Sequence, residues 1–172
     1  MKKTIILSLI ILTIIFSMSN KNNIPDDAIR LRVIANSNSK YDQDIKMKVS
    51  DNVTQNMYYL LNNIDNIGQA RTKIKDNLSY IENNIENVLK EENYNLGFEM
   101  NYGMNYFPEK EYDGKTYKEG KYESLVVTLG SGEGNNWWCV LFPPLCLIEA
   151  EETNKDDVEY KSFFKELIEK IF

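Results

Sequence analysis

The sequence predicts an α+β domain: a small, mainly antiparallel sheet packed against a helical hairpin, with a C-terminal helix. Three observations carry that expectation. Apolar and polar residues alternate in short runs near 29–35, 96–102 and 122–129, the period of half-buried strands. Between the first two runs, apolar residues recur at three- and four-residue spacing over two long stretches, the period of amphipathic helices. The same helical spacing returns at the end, in Tyr160, Phe163, Phe164, Leu167, Ile168 and Ile171.

A chain of 172 residues fits one domain, and 42% hydrophobic content supplies a modest core. The formal net charge is −6. It drops to −8 if Lys2 and Lys3 leave with a leader that carries no acidic residue. That balance argues against nucleic acid as a partner, because phosphate binding needs a basic patch.

Lys2 and Lys3 precede an apolar run from Ile5 to Met18. This is the pattern of a charged n-region and an h-region, so residues 1–19 are read as a signal peptide or N-terminal anchor that engages the export membrane. Ser17 and Ser19 stand at the right spacing for cleavage after Ser19; an uncleaved anchor is the alternative. Residues 20–28 are a polar linker holding Pro25.

The domain proper is set at 29–148. Ile29, Leu31, Val33 and Ala35 share one face of a first strand, with Arg30 and Arg32 on the other. Asn36-Ser37-Asn38-Ser39 is a turn and helix-start cluster, and Ser39 with Asp42 resembles a capping box. A helix is expected from Tyr41 to about Asn62, with Ile45, Val49, Val53, Met57, Leu60 and Leu61 inward and Lys46, Lys48, Asp51 and Gln55 outward. Gly68 ends or interrupts it. A second helix is expected from about Gln69 to Lys90, on a stripe of Ala70, Ile74, Leu78, Ile81, Ile85, Val88 and Leu89. Leu96, Phe98, Met100 and Tyr102 mark the next strand. Tyr106 to Tyr112 is a further candidate, demoted in part to an edge by Pro108, and Asp113-Gly114 signals a hairpin turn. Tyr122 to Leu129 is the last clear strand. Residues 149–172 form an acidic linker and an amphipathic helix, either docked on the core or lying on a membrane surface.

The stretch from Gly130 to Cys146 holds both tryptophans and both cysteines. It opens as a flexible polar loop with glycines at 130, 132 and 134, then turns wholly apolar from Trp137 to Leu147. Pro143 and Pro144 forbid a continuous helix or central strand at their position. One reading is a core plug; the other is a partner-binding surface, since Trp and Phe are favoured anchors. The second takes Trp137, Trp138 and Phe142, with Arg30 and Arg32, as candidates. Cys139 and Cys146 either form a disulfide after export or stay as buried thiols.

No catalytic constellation stands out. The chain has no histidine, so a cysteine nucleophile lacks its usual base and two thiols leave a zinc site short of ligands. Glu109, Glu111, Asp113 and Glu119 sit beside a turn, where solvated carboxylates are ordinary. Gly130, Gly132 and Gly134 form no phosphate loop or dinucleotide fingerprint. The expectation is a non-enzyme with no cofactor and no metal. Two alternatives stay open: a cell-wall or carbohydrate-binding module, and a wall-active hydrolase.

Two blocks add a resemblance. Ile29-Arg30-Leu31-Arg32-Val33-Ile34-Ala35-Asn36-Ser37-Asn38-Ser39 is followed by Asp42-Gln43 and Lys46-Met47-Lys48-Val49. Phe107-Pro108-Glu109-Lys110, Gly114 to Tyr117, Gly120, Tyr122-Glu123 and Leu125-Val126-Val127 lead into Gly134-Asn135-Asn136-Trp137-Trp138-Cys139, ending at Pro143-Pro144-Leu145-Cys146. They resemble the stage II sporulation protein R family, intercellular signalling proteins of endospore-forming bacteria. The resemblance implies synthesis in the forespore and export into the space facing the mother cell. There, such proteins activate a membrane-embedded aspartic protease, stage II sporulation protein GA, which processes pro-sigma E. The resemblance carries over no contact residues.

Overall fold

The computed structural model describes residues 25–112 and 115–144. Strand β1 (Ile29–Ile34) is followed by helices α1 (Lys40–Leu61), α2 (Ile67–Asp76) and α3 (Leu78–Glu91). Then come β2 (Phe98–Phe107), β3 (Lys110–Tyr112), β4 (Lys115–Tyr117), β5 (Gly120–Leu129) and β6 (Asn136–Phe142). The main sheet has order β2-β5-β1-β6; β3 and β4 pair separately as a small antiparallel ribbon. Helices packed on a four-stranded sheet make the fold α+β. The sheet is mainly antiparallel, with one parallel pair, β1 on β5, at its centre. The expected C-terminal helix and the Asp113-Gly114 turn lie outside the described residues.

One face of the sheet carries the core. Leu31 and Val33 of β1, Leu125, Val127 and Leu129 of β5, and Leu141 of β6 are fully buried. They meet Ile45, Val49, Val53 and Met57 of α1, behind which pack Ala70, Ile74, Ile81 and Ile85. The period of two in the strands and of 3.6 in the helices brings these stripes together.

The helices differ from the expectation in three ways. α1 ends at Leu61 with Asn62 as its cap, as expected, but Gly68 lies inside α2 instead of marking a break; Asn66 caps α2 by accepting from the Gln69 N–H at 2.9 Å. The second helix is two helices. Asn77, at φ −115° and ψ 12°, leaves helical geometry and donates its side-chain amide to the Lys73 carbonyl at 2.8 Å. The apolar stripe runs straight across this break, so periodicity conceals it. Lys46, expected outside, is 6% exposed; its ammonium donates to Gln43 Oε1 at 2.6 Å, and burial lowers its pKa.

The Gly130–Asn135 segment is not a loose loop. Asn36 Oδ1 accepts from the Ser131 N–H at 2.9 Å, the Asn36 carbonyl from the Glu133 N–H at 3.1 Å, and the Ala35 carbonyl from the Gly134 N–H at 2.8 Å. Asn38 Oδ1 accepts from the Asn135 N–H at 2.8 Å. Gly130 sits at φ +54° against Asn36, where any Cβ would collide with the Asn36 side chain. At Gly134 a Cβ would overlap the Ser37 carbonyl. The Asn36 amide also donates to Asp42 Oδ2 at 3.0 Å, as does the Ser37 hydroxyl, while the Ser39 hydroxyl accepts from the Asp42 N–H at 3.1 Å. The helix cap, the turn and the glycine loop are thus one hydrogen-bonded unit, and it delivers the chain into β6, a strand beyond those expected.

Candidate functional site

The second face of the sheet has none of the described helices over it. The β1 alternation that buries Leu31 and Val33 turns Arg30 and Arg32 to this side. Register then sets Arg32 between Trp138 of β6 and Val126 of β5, and Arg30 between Val140 and Ser124. Phe107, at the end of β2 and opposite Gly120, and Tyr122 of β5 complete the group.

These five side chains form one stack. The Arg30 guanidinium carbon lies 3.5 Å from the Tyr122 ring centroid, and that of Arg32 lies 4.8 Å from the Trp138 centroid. Phe107 is 3% exposed and sits between the pairs, 5.0 Å from Trp138 and 6.0 Å from Tyr122. The negative ring faces attract the cations, worth about 0.5–2 kcal/mol per pair as desolvation increases.

Two arginines of the same chain differ in their acceptors. On the helix side, Arg71 Nε donates to both oxygens of Glu123, at 2.8 and 3.1 Å, and the Tyr102 hydroxyl donates to Oε1 at 2.9 Å. The carboxylate raises the Arg71 pKa, and burial and Glu123 raise that of Tyr102. On the open face, Arg32 donates to the Tyr106 carbonyl at 3.5 Å and to Asn136 Oδ1 at 3.2 Å. Its Nε is buried with no acceptor among the described residues. Burial lowers its pKa. The one carboxylate that register brings to this face among the described strands of the main sheet is Glu99, opposite Thr128 at the far end of β2. The face is therefore a desolvated, cation-bearing aromatic surface on a chain of net charge −6. It is suited to holding an anion or an apolar strand, and the described residues place no nucleophile–base pair on it.

The candidates read from sequence are divided by this geometry. Arg30, Arg32 and Trp138 come together on the open face. Trp137, opposite Val33, and Phe142, opposite Ile29, pack instead against the core. Cys139, opposite Leu31, is buried on the helix side. Cys146 lies outside the described residues. Phe107 and Tyr122 were not among the candidates. The signal for Phe107 was available: an aromatic in the polar phase of β2, at Glu99, Asn101, Gly103 and Asn105, has left the pattern that would bury it under the helices.

Residues 25–152 match the family model described as stage II sporulation protein R. The chain is 38% identical over 126 residues to stage II sporulation protein R of Bacillus subtilis (strain 168). That match covers 73% of this chain and 56% of the relative, so the chain spans little more than half of the relative's length. No solved structure matches. Both resemblance blocks fall within the matched range, and the chain belongs to the stage II sporulation protein R family.

Proposed function

We propose that this chain is an exported signal of endospore formation that docks, through the open sheet face, on the outward-facing part of a membrane-embedded aspartic protease, stage II sporulation protein GA. Docking activates the protease to process pro-sigma E in the mother cell. Membership of the family supports the sporulation role. The observation that carries the docking surface is Arg32, held half-buried beside Trp138 and Phe107 with no carboxylate acceptor among the described residues. A folded chain gains little by desolvating a cation without a counter-ion, whereas an interface gains an anchor from clustered Trp, Tyr and Arg. Residues 1–19 provide the export signal. A Cys139–Cys146 bridge in the exported form would tie the chain beyond Pro144 to β6 through Cys139, on the helix side of the sheet.

The test is binding of the exported protein to the protease's extracytoplasmic part. Saturable binding that Trp138→Ala weakens at least tenfold supports the proposal. Binding that survives both Trp138→Ala and Arg32→Gln overturns the docking surface. Normal sigma-E processing in a deletion strain overturns the function itself. Saturable binding to isolated sacculi, with none to the protease, assigns the chain to wall recognition.

A further inference from the structure

β6 delivers the chain to the Arg30 end of the open face. Phe142 pairs with Ile29, Val140 with Arg30 and Trp138 with Arg32, so the row of Arg32 lies four strand residues back from Phe142. That is about 13 Å at the rise of a strand. Beyond Pro144 the sequence continues for 28 residues. Five of them bring it to Glu149, and five extended residues span up to about 17 Å. From 149 to 159 the sequence holds Glu149, Glu151, Glu152, Asp156, Asp157 and Glu159 against Lys155 alone. The apolar residues Tyr160, Phe163 and Phe164 follow.

We propose that residues 149–159 occupy the open sheet face of their own chain, setting carboxylates against Arg32 and capping the signal until a partner displaces them. Three observations converge. Arg32 has no carboxylate acceptor among the described residues, in contrast to Arg71 on Glu123. The acidic stretch is tethered within reach of it. The charges are opposite, and covalent attachment through a short stretch of chain supplies an effective concentration of roughly millimolar, enough for a contact too weak to form between separate molecules. The proposal concerns the face assigned above to docking, but it does not require that the partner be a protease.

The experiment compares the chain with a version ending at Ile148, both with the same N-terminus, by nuclear magnetic resonance of the Arg32 Nε–H and Trp138 indole N–H. Truncation is expected to shift both signals. A synthetic peptide of residues 149–159 is expected to restore them saturably, with affinity that falls as salt rises. Arg32→Gln should weaken peptide binding at least tenfold. Glu149→Gln, Glu151→Gln and Glu152→Gln together, which leave the described domain untouched, should reproduce the truncation. Unchanged signals on truncation, or equal peptide binding by the Arg32→Gln protein, overturn the proposal. Tail-dependent shifts that vanish on tenfold dilution place the tail of a second copy on the face and overturn occupancy within one chain. With the protease's outward-facing part, the truncated chain should bind severalfold tighter than the full chain. Equal affinity removes the capping role. If neither form binds the protease, the function proposed above fails, and the resonance data alone decide tail occupancy.

Discussion

Trp137 and Trp138 are adjacent in sequence and belong to opposite sides of the same sheet. Trp137 joins a face on which Leu31, Val33, Leu125 and Val127 are fully buried beneath α1. Trp138 joins a face where two of the chain's three arginines lie on aromatic rings with none of the described helices above them. The covered face is filled by shape and hydrophobicity. The open face keeps groups that are poor core formers and good recognition elements. Stability should therefore reside on one side and binding on the other, and substitutions across the sheet separate the two.

The largest effect is expected at Leu125, in the strand that pairs with both β1 and β2. Leu125→Ala removes a fully buried side chain and leaves a cavity, at a cost of about 2–5 kcal/mol. The denaturation midpoint should fall with its slope unchanged. A loss below about 1 kcal/mol would mean that the helices collapse freely onto the sheet, contrary to a close-packed covered face.

Next is the glycine loop that orders β6. Gly134→Ala drives a Cβ into the Ser37 carbonyl, and the backbone must move because no flexible side chain is there to yield. About 1–3 kcal/mol is expected, as for other overpacked positions. Hydrogen exchange should also quicken along β6 more than along β2, since only β6 is started by this loop. Uniform quickening would show that the clamp supports the sheet as a whole.

The covered face was the legible part of the sequence. The alternation in β1 and β5 and the stripe from Ala70 to Leu89 named nearly all of its residues, because burial imposes a period. The helix break at Asn77 was not legible, since the stripe crosses it in phase and an asparagine whose side chain returns one turn back occurs within an unbroken helix as well, at Asn84. β6 was hidden by being apolar on both sides, with Trp137, Trp138, Val140 and Leu141 showing no alternation. The register of β6 is set by partners about a hundred residues away, in Asn36 and Asn38. The open face was half legible. The parity of β1 gives Arg30 and Arg32 a common side, yet only the pairing of β2 with β5, and of β5 with β1, brings Phe107 and Tyr122 to them.

A smaller effect is expected at the cap beneath that loop, with a definite pH dependence. Hydrogen bonds from Ser37 and then Asn36 hold the Asp42 carboxyl below its ordinary value. A carboxyl with a depressed folded pKa stabilises the fold above its unfolded pKa, about 3.9. That contribution is lost as pH falls from there through the lower folded value. Asp42→Asn should cost about 1 kcal/mol at pH 7, in the range of a lost cap or charged hydrogen bond. The gap between the two proteins should close as the solution is acidified below about 3.9. A gap that stays constant down to about pH 2 would mean that shape, not charge, joins Asn36 and Ser37 to helix α1.

The smallest effect on stability is expected at Arg32, and it bears most directly on the contrast between the faces. Arg32→Gln gives up the cation–π contact with Trp138 and part of the packing of a long apolar stem. It also releases the folded state from desolvating a guanidinium whose Nε has no acceptor among the described residues. These terms oppose each other at similar size, so the net change should stay within about 1 kcal/mol. Arg71→Gln makes the control: it leaves Glu123 and the Tyr102 hydroxyl without their cation on the helix side. If Arg32→Gln destabilises the protein more than Arg71→Gln does, the open face is holding the fold together, and the division between a stabilising face and a recognising face is wrong. If Arg32→Gln is nearly silent in denaturation yet lowers partner binding at least tenfold, the cation is kept for what docks on it.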